Sequence, residues 1–134
     1  MMNISKISLV LMLICTFVAC RQNDAQYDLE FLEGDWLRLS SSDSRSDSMQ
    51  VHIAGDSAVL VFLPDDSEFI IDEKKWFSIS PISDNNIHYT LKDISADASF
   101  ATAQITITSD SSLTLENTDF PLAPGALQYW ERKP

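Results

Sequence analysis

The stretch that decides the fold is FATAQITITSDSSLTLEN, residues 100–117. Apolar residues alternate with polar ones through residues 100–108 and again through residues 113–115. Because successive side chains of a β-strand point to opposite faces of the sheet, this period of two indicates two strands that each bury one face. The polar residues 109–111 separate the two segments, which predicts an antiparallel hairpin.

The same pattern continues over the rest of the chain from Gly34 onward. Nine segments have strand character, and some of them could merge: residues 36–39, 49–53, 58–63, 68–72, 75–79, 87–92, 100–108, 113–115 and 126–132. Closely spaced strands without long helices favour an antiparallel barrel or sandwich, and closure into a barrel removes exposed sheet edges. The sequence therefore predicts an all-β, antiparallel up-and-down β-barrel of about eight strands after an N-terminal signal helix.

The first twenty residues have the pattern of a lipoprotein signal peptide. Residues 7–19 form a run of 13 mostly apolar residues. This run is too short to span a bilayer, since a spanning helix needs about 20 apolar residues. The run ends in Phe17-Val18-Ala19-Cys20, which resembles the lipobox of bacterial lipoproteins. The resemblance implies cleavage before Cys20 and lipidation of its thiol; an ordinary secretory signal cut nearby, with Cys20 unmodified, is the alternative.

Lipidation of Cys20 would anchor the protein to a membrane of the bacterial cell envelope. Each buried acyl CH₂ contributes about 0.8 kcal/mol, so the several acyl chains of bacterial lipoproteins imply stable attachment. Arg21 follows the cysteine where an aspartate would favour retention at the inner membrane. The expected location is therefore the outer membrane.

The chain divides into three parts. Residues 1–19 are the predicted signal peptide, residues 20–33 a lipidated tether with a short helical turn, and residues 34–134 the barrel. Cys15 would be removed with the signal peptide and Cys20 would carry lipid, so the barrel would hold no thiol. A disulfide, a cysteine nucleophile and a cysteine-ligated zinc site are then excluded.

The chain is strongly acidic. Its 20 Asp and Glu residues outnumber 9 Lys and Arg residues, which gives a formal net charge of −11. A surface of that sign repels phosphate backbones and anionic lipid headgroups. The composition therefore argues against any nucleic acid as a partner.

No catalytic or metal-binding motif stands out in the sequence. His52 and His88 fall at polar positions of their predicted strands, and a Gly-x-Ser-x-Gly motif is absent. Asp65, Asp66 and Glu68 lack the glycine and the spacing of an EF-hand loop. We therefore expect a protein that binds rather than catalyses, without a metal or a cofactor.

Short motifs stand at both ends of the predicted barrel. Residues 32–36 have the form Leu-x-Gly-x-Trp, and residues 129–132 have the form Tyr-x-x-Arg. Residues 103–117 add a strand, a polar turn and the sequence Leu-x-Leu-Glu-Asn. Together these motifs cover about half of the mature chain, and in this order they resemble small bacterial lipocalin-like domains.

The resemblance implies roles for three residues in closing the barrel. Gly34 would let the chain bend into the first strand, and Trp36 would plug the closed end. Arg132 would lie across Trp36, with a cation–π contact and hydrogen bonds to nearby carbonyl groups. Arg38 lies on the same strand face as Trp36 and is the alternative source of this contact.

Alternation along the strands predicts which side chains face the barrel interior. An eight-stranded barrel either fills with side chains or keeps room for one small ligand, and both alternatives stay open here. A pocket for a small apolar ligand would be lined by Phe69, Ile71, Phe77, Ile87, Tyr89, Ile105 and Tyr129.

The opposite strand faces also carry large apolar side chains. The predicted outer cluster comprises Leu60, Phe62, Ile70, Trp76 and Trp130. Such a cluster would mark a surface for an envelope protein, because soluble monomers rarely expose large apolar patches and tryptophan is enriched at binding hot spots. The alternatives are that residues 27–33 cover the cluster or that its side chains are scattered.

Two functional hypotheses follow. The first is a lipid-anchored barrel that holds a small apolar ligand; the alternative is a protein-interaction module, such as an inhibitor or accessory subunit, that uses an outer apolar surface or a loop rim. Cavity volume separates them, since a void above about 300 Å³ favours a ligand and a filled barrel favours a protein partner.

Overall fold

The computed structural model describes residues 28–42, 47–82 and 87–134. Within these residues the chain forms one short helix and eight strands: α1 (Leu29–Leu32), β1 (Gly34–Ser41), β2 (Gln50–Ala54), β3 (Ser57–Phe62), β4 (Lys74–Pro81), β5 (His88–Ile94), β6 (Phe100–Ser109), β7 (Ser112–Asn117) and β8 (Leu127–Arg132). The predicted signal helix and Cys20 lie outside the described residues.

The eight strands form a closed antiparallel barrel in sequence order. Each strand pairs with the next, and β8 pairs with β1 through partners such as Trp36 and Arg132. This confirms the predicted up-and-down barrel of eight strands. The predicted strand over residues 68–72 is wrong, because Asp72 has a φ of 71°, which an extended strand residue does not adopt. Residues 63–73 form the connection between β3 and β4 instead.

Helix α1 covers one end of the barrel, which we call the closed end. The Trp36 indole Nε1 donates a hydrogen bond of 2.8 Å to the carbonyl of Leu32, the last residue of α1. The Tyr89 hydroxyl donates one of 2.9 Å to the carbonyl of Asp28, which caps the start of α1. The β2–β3, β4–β5 and β6–β7 connections lie at this end, so the other strand connections lie at the opposite, open end.

Three tryptophans occupy the barrel interior. Trp36, Trp76 and Trp130 are each at most 1% exposed. The rings of Trp76 and Trp130 meet edge to face with their centroids 4.9 Å apart, an arrangement that aromatic pairs favour. The Trp130 Nε1 donates to the side-chain oxygen of Gln128 at 3.0 Å. These three large side chains occupy part of the barrel interior.

The predicted outward direction of three aromatic and aliphatic side chains is wrong. Leu60, Trp76 and Trp130 are buried within the barrel. On β3 both faces are apolar, so alternation alone does not distinguish the inner face, and the structure buries Ala58 and Leu60. On β8 the neighbours Tyr129 and Trp130 are both aromatic, and the larger ring takes the interior position beside Trp76.

Strand β4 changes phase in its middle. Its pairing with β5 is irregular just after Phe77, and Ser78 has a φ of 54°. Trp76 and Ile79, three residues apart, are therefore both buried. Phe77 is half-buried and packs edge to face against the exposed Phe100, with ring centroids 5.8 Å apart. The prediction that Phe77 lines the interior is consequently wrong.

The other six side chains predicted to line a pocket differ in their burial. Tyr89 and Ile105 are buried, Phe69 is half-buried, and Ile71, Ile87 and Tyr129 are exposed. Ile71 and Ile87 lie in connections between strands, where alternation does not apply, and Tyr129 lies on the outer face of β8. The prediction that these three exposed side chains face the interior is wrong.

Candidate functional site

At the closed end, Arg132 lies over Trp36. Its Cζ is 4.4 Å from the centre of the Trp36 ring, and its Nη1 donates to the carbonyl of Glu33 at 2.8 Å. Its Nη2 donates to the carbonyl of Phe31. Gly34 has a φ of 121°, and a Cβ there would lie 3.4 Å from Nη1 of Arg132. These contacts bind the last strand to the first strand and to α1.

The guanidinium of Arg132 stabilises the closed end of the barrel. Burial lowers its pKa from the ordinary value, yet an arginine remains charged in proteins. The charge is balanced by the π face of Trp36 and by backbone carbonyls rather than by a carboxylate. Arg38, the alternative partner of Trp36, lies towards the open end and pairs with Asp47 at 3.4 Å. The polar groups of Arg132 at the closed end are therefore already engaged by the protein, so we do not place the candidate ligand site there.

The open end holds a cleft of about 220 Å³. The β3–β4, β5–β6 and β7–β8 connections all contribute to its lining, for example through Glu68, Ala96 and Pro124. Segments far apart in the sequence thus converge on one site, as the topology requires. The β1–β2 connection lies at the same end, but residues 43–46 within it are outside the described part of the chain.

Three buried polar side chains also line the cleft. Arg38, Lys75 and Gln128 are each only 3–4% exposed. The Lys75 ammonium donates to the Asp93 carboxylate at 2.5 Å and to the Ile94 carbonyl at 2.6 Å. Burying charges costs several kcal/mol per ion unless they are paired and hydrogen-bonded, which these contacts achieve. The cleft therefore presents a polar, charged floor.

This lining differs from the apolar pocket that the sequence predicts. Phe69 is the one predicted lining residue that borders the cleft, and the Lys75 Nζ sits 4.6 Å from its ring centre. The sequence places Arg38 on the same strand face as Trp36, and both side chains are buried. Sequence reasoning missed Lys75 and Gln128 as interior groups. Nothing in the alternation points to Lys75, since it is adjacent to Trp76 and both are buried.

Large apolar side chains are exposed at the open end of the barrel. Six of them lie at strand ends or in connections at the open end: Phe62, Ile70, Ile71, Phe100, Phe120 and Leu122. We call these six side chains the open-end rim. Their exposed fractions run from 43% for Ile71 to 98% for Leu122. At the closed end, Ile87 is the one large apolar side chain exposed among the described residues.

The rim is also acidic. The connections 63–73, 95–99 and 118–126 contain seven Asp and Glu residues and no Lys or Arg. Hydrogen bonds from the hydroxyl and the backbone of Ser99 lower the pKa of the Asp97 carboxyl. These three connections therefore combine exposed apolar groups with negative charge, and the nearest exposed cation in the chain is Lys74, the first residue of β4.

The two histidines lie outside this site. His52 Nδ1 is 2.8 Å from Asp35 Oδ1 on the outer surface, where both side chains are about half exposed. His88 Nδ1 is 2.9 Å from the Thr106 hydroxyl. Over residues 28–42, 47–82 and 87–134, no three His, Cys, Asp or Glu side chains are grouped to hold a metal ion. Neither histidine therefore contributes to the lining of the cleft.

The same described ranges contain no helix long and apolar enough to cross a membrane. No protein-family model matches the chain, and neither a curated protein nor a solved structure matches it. A functional assignment must therefore come from the residues of this chain and their arrangement.

Proposed function

We propose that this protein is a lipid-anchored lipoprotein of the bacterial envelope whose lipocalin-like barrel is a protein-interaction module. The partner would bind at the open-end rim, and the barrel would catalyse no reaction. The observation that carries this proposal is the contrast between a filled interior and six large apolar side chains exposed at one end. Monomeric proteins rarely expose apolar groups in this concentrated way unless the surface binds something.

The size and the lining of the cleft argue against a small apolar ligand. Its volume of about 220 Å³ is below the range of about 300–1,000 Å³ that is usual for ligand pockets. Its floor is formed by Arg38, Lys75 and Gln128, so its lining is polar, whereas a pocket for an apolar ligand is lined mostly by apolar side chains. A protein partner can instead contact the rim and leave the cleft hydrated.

A small polar ligand is the second candidate function. Three polar side chains, each more than nine-tenths buried, converge on the cleft, and convergent polar groups are typical of binding sites. Mass spectrometry of the natively purified protein would detect such a ligand. Its loss on replacing Lys75 by methionine, with the fold intact, would favour this function over protein binding.

The place where the chain enters the barrel supports a partner on the side away from the membrane. Cys20 precedes Asp28 by eight residues, and eight residues span at most about 29 Å. Asp28 and α1 lie at the closed end, because the Asp28 carbonyl accepts a hydrogen bond from Tyr89. An anchor on Cys20 would therefore attach to the closed end and leave the open-end rim accessible.

Replacing Cys20 by alanine tests the anchor. We expect the Cys20→Ala protein to lose palmitate labelling and to leave the membrane fraction, because the lipobox-like pattern makes Cys20 the residue that carries the lipid. Cys15→Ala is the matched control, since Cys15 lies within the predicted signal peptide and its loss should change neither property. Continued palmitate labelling of Cys20→Ala would refute the lipoprotein assignment.

Replacing two rim side chains by serine tests the interaction surface. We expect Phe120→Ser/Leu122→Ser in the full-length protein to reduce partner recovery at least about tenfold after cross-linking in native membranes. The reason is that a few anchoring side chains carry most of the binding energy of an interface, and a loss of about 1.4 kcal/mol lowers affinity tenfold. Both side chains are exposed, so thermal unfolding should change little.

The matched control is Leu39→Ser/Tyr129→Ser, which removes two exposed apolar side chains from the outer face of the strands. This control should recover the partner as the wild type does. Equal recovery by the rim variant would show that the rim is not the binding surface. Failure of the wild type to recover any specific protein would contradict the interaction module itself.

A further inference from the structure

The charge around the open-end rim constrains its partner. The three connections that surround the cleft carry seven of the chain's 20 acidic residues and no basic ones. Surfaces that associate stably place complementary charges opposite each other, and like charges in contact cost several kcal/mol. An acidic partner surface is therefore disfavoured at this end of the barrel.

Acidic and apolar side chains are interspersed within these connections. Ile70 and Ile71 lie between Glu68 and Asp72, and Phe120 directly follows Asp119. All of these side chains are exposed. A partner that buries the rim apolar groups must therefore bring its own charges close to the carboxylates. Apolar residues interspersed with Lys or Arg meet both requirements.

The cleft also carries charged side chains, both at its mouth and deeper in the barrel. Asp66 and Glu68 line it as well as standing exposed at the open end, so they lie at its mouth. Lys75 and Arg38, deeper in the barrel, are already paired with Asp93 and Asp47. A cationic side chain that enters the mouth therefore meets the exposed Glu68 carboxylate before the buried cations, which are already paired.

Two other occupants fit this surface poorly. A second copy of the chain would bring its own acidic rim against this one, and like charges repel. A membrane with anionic headgroups would be repelled in the same way. If the lipid anchor lies at the closed end, its membrane also lies on the opposite side of the barrel. The remaining candidate for the open-end rim is a protein with a positively charged surface.

We infer that the partner of the open-end rim is a cationic amphipathic protein segment, in which Lys or Arg residues alternate with large apolar residues. This inference rests on the proposed interaction function and specifies the chemistry of the partner. The apolar residues would pack on the rim, and the cations would face the seven carboxylates of the three connections. Binding should therefore need both properties of the segment at once and should weaken with salt.

The test uses the full lipidated chain in nanodiscs of zwitterionic phosphatidylcholine, with empty nanodiscs as the blank. The probe is a fluorescent 15-residue peptide in which leucine and phenylalanine alternate with lysine. One comparison peptide replaces each lysine with glutamate, and another replaces each apolar residue with serine. Fluorescence anisotropy should give the probe at least about tenfold tighter binding than either comparison peptide, and higher salt should weaken it.

A charge variant locates the binding. Asp65→Asn/Glu68→Gln/Glu73→Gln removes three exposed carboxylates from the β3–β4 connection and should weaken probe binding about tenfold. The matched control, Glu30→Gln/Asp56→Asn/Glu131→Gln, removes the same charge from exposed positions of α1, the β2–β3 turn and β8. Binding by the control should stay within about twofold of the wild type.

Three outcomes would overturn the inference: equal binding of the glutamate peptide, equal binding of the serine peptide, or equal weakening by both charge variants. The proposed function fails separately. If the probe does not bind while the Phe120→Ser/Leu122→Ser protein still loses its native partner, the interaction module stands and only the cationic partner is wrong. If the rim variant keeps its native partner, the interaction surface itself is wrong.

Discussion

Alanine in place of Trp36 is expected to lower the free energy of unfolding by about 3–5 kcal/mol. Trp36 is fully buried, and its removal leaves a void beneath α1 at the closed end. The substitution also leaves the Leu32 carbonyl without its indole donor and Arg132 without the ring beneath it. Loss of packing and loss of buried polar contacts add, so the effect should lie near the upper end for a single substitution.

Chemical denaturation followed by circular dichroism measures this loss. Leu37→Ala is the matched control, because Leu37 follows Trp36 on the same strand, is half-buried and faces the other side of the sheet. Leu37→Ala should lower the free energy of unfolding clearly less than Trp36→Ala does. If Trp36→Ala fails to fold, Trp36→Phe keeps most of the apolar volume and should show a smaller, measurable loss. An unchanged transition in Trp36→Ala would remove Trp36 from the core of the closed end.

Alanine in place of Asp93 is expected to cost about 3–5 kcal/mol, because removing one member of a buried ion pair leaves the other charge uncompensated. The Lys75 side chain is 4% exposed and that of Asp93 is 13% exposed. Without Asp93, the ammonium would keep the Ile94 carbonyl and the Phe69 ring as neighbours, and neither carries a full negative charge.

Two further variants test whether the loss of stability in Asp93→Ala comes from the uncompensated buried charge of Lys75. Asp35→Ala breaks the exposed contact with His52 and should cost no more than about 1 kcal/mol. Lys75→Met/Asp93→Leu removes both charges and should recover most of the stability lost in Asp93→Ala. If Asp93→Ala lowers the free energy of unfolding no more than Asp35→Ala does, water in the cleft must solvate the Lys75 ammonium. The Lys75–Asp93 pair would then not be shielded from water.

Alternation predicts the barrel well where one strand face is polar. On β5, Tyr89 and Leu91 are buried between half-buried polar neighbours, as the sequence predicts. On β6, alternate residues from Ala101 to Ile107 are buried in the same way. In such strands a shift of one residue would expose every apolar side chain, so the sequence itself specifies the inner face.

Prediction fails where both strand faces are apolar or where the backbone departs from the regular pleat. On β3 and β8 the predicted inner face is wrong, because Leu60 and Trp130 lie inside the barrel. On β4 the irregularity at Ser78 buries both Trp76 and Ile79, a spacing that alternation does not contain. These choices depend on which side chains fill the interior together, and that is a property of the whole barrel.

The sequence by itself determined the strand period, the acidic charge and the lipobox-like pattern at residues 17–20, because each is local or compositional. Only the tertiary structure decided where the candidate site lies. Closure of β8 onto β1 places alternate connections at one end, so Ile70, Phe100 and Leu122 lie at the same end of the barrel although they are far apart in the chain. It also turns Arg38 and Lys75 inwards, since their burial depends on carboxylate partners supplied by other segments.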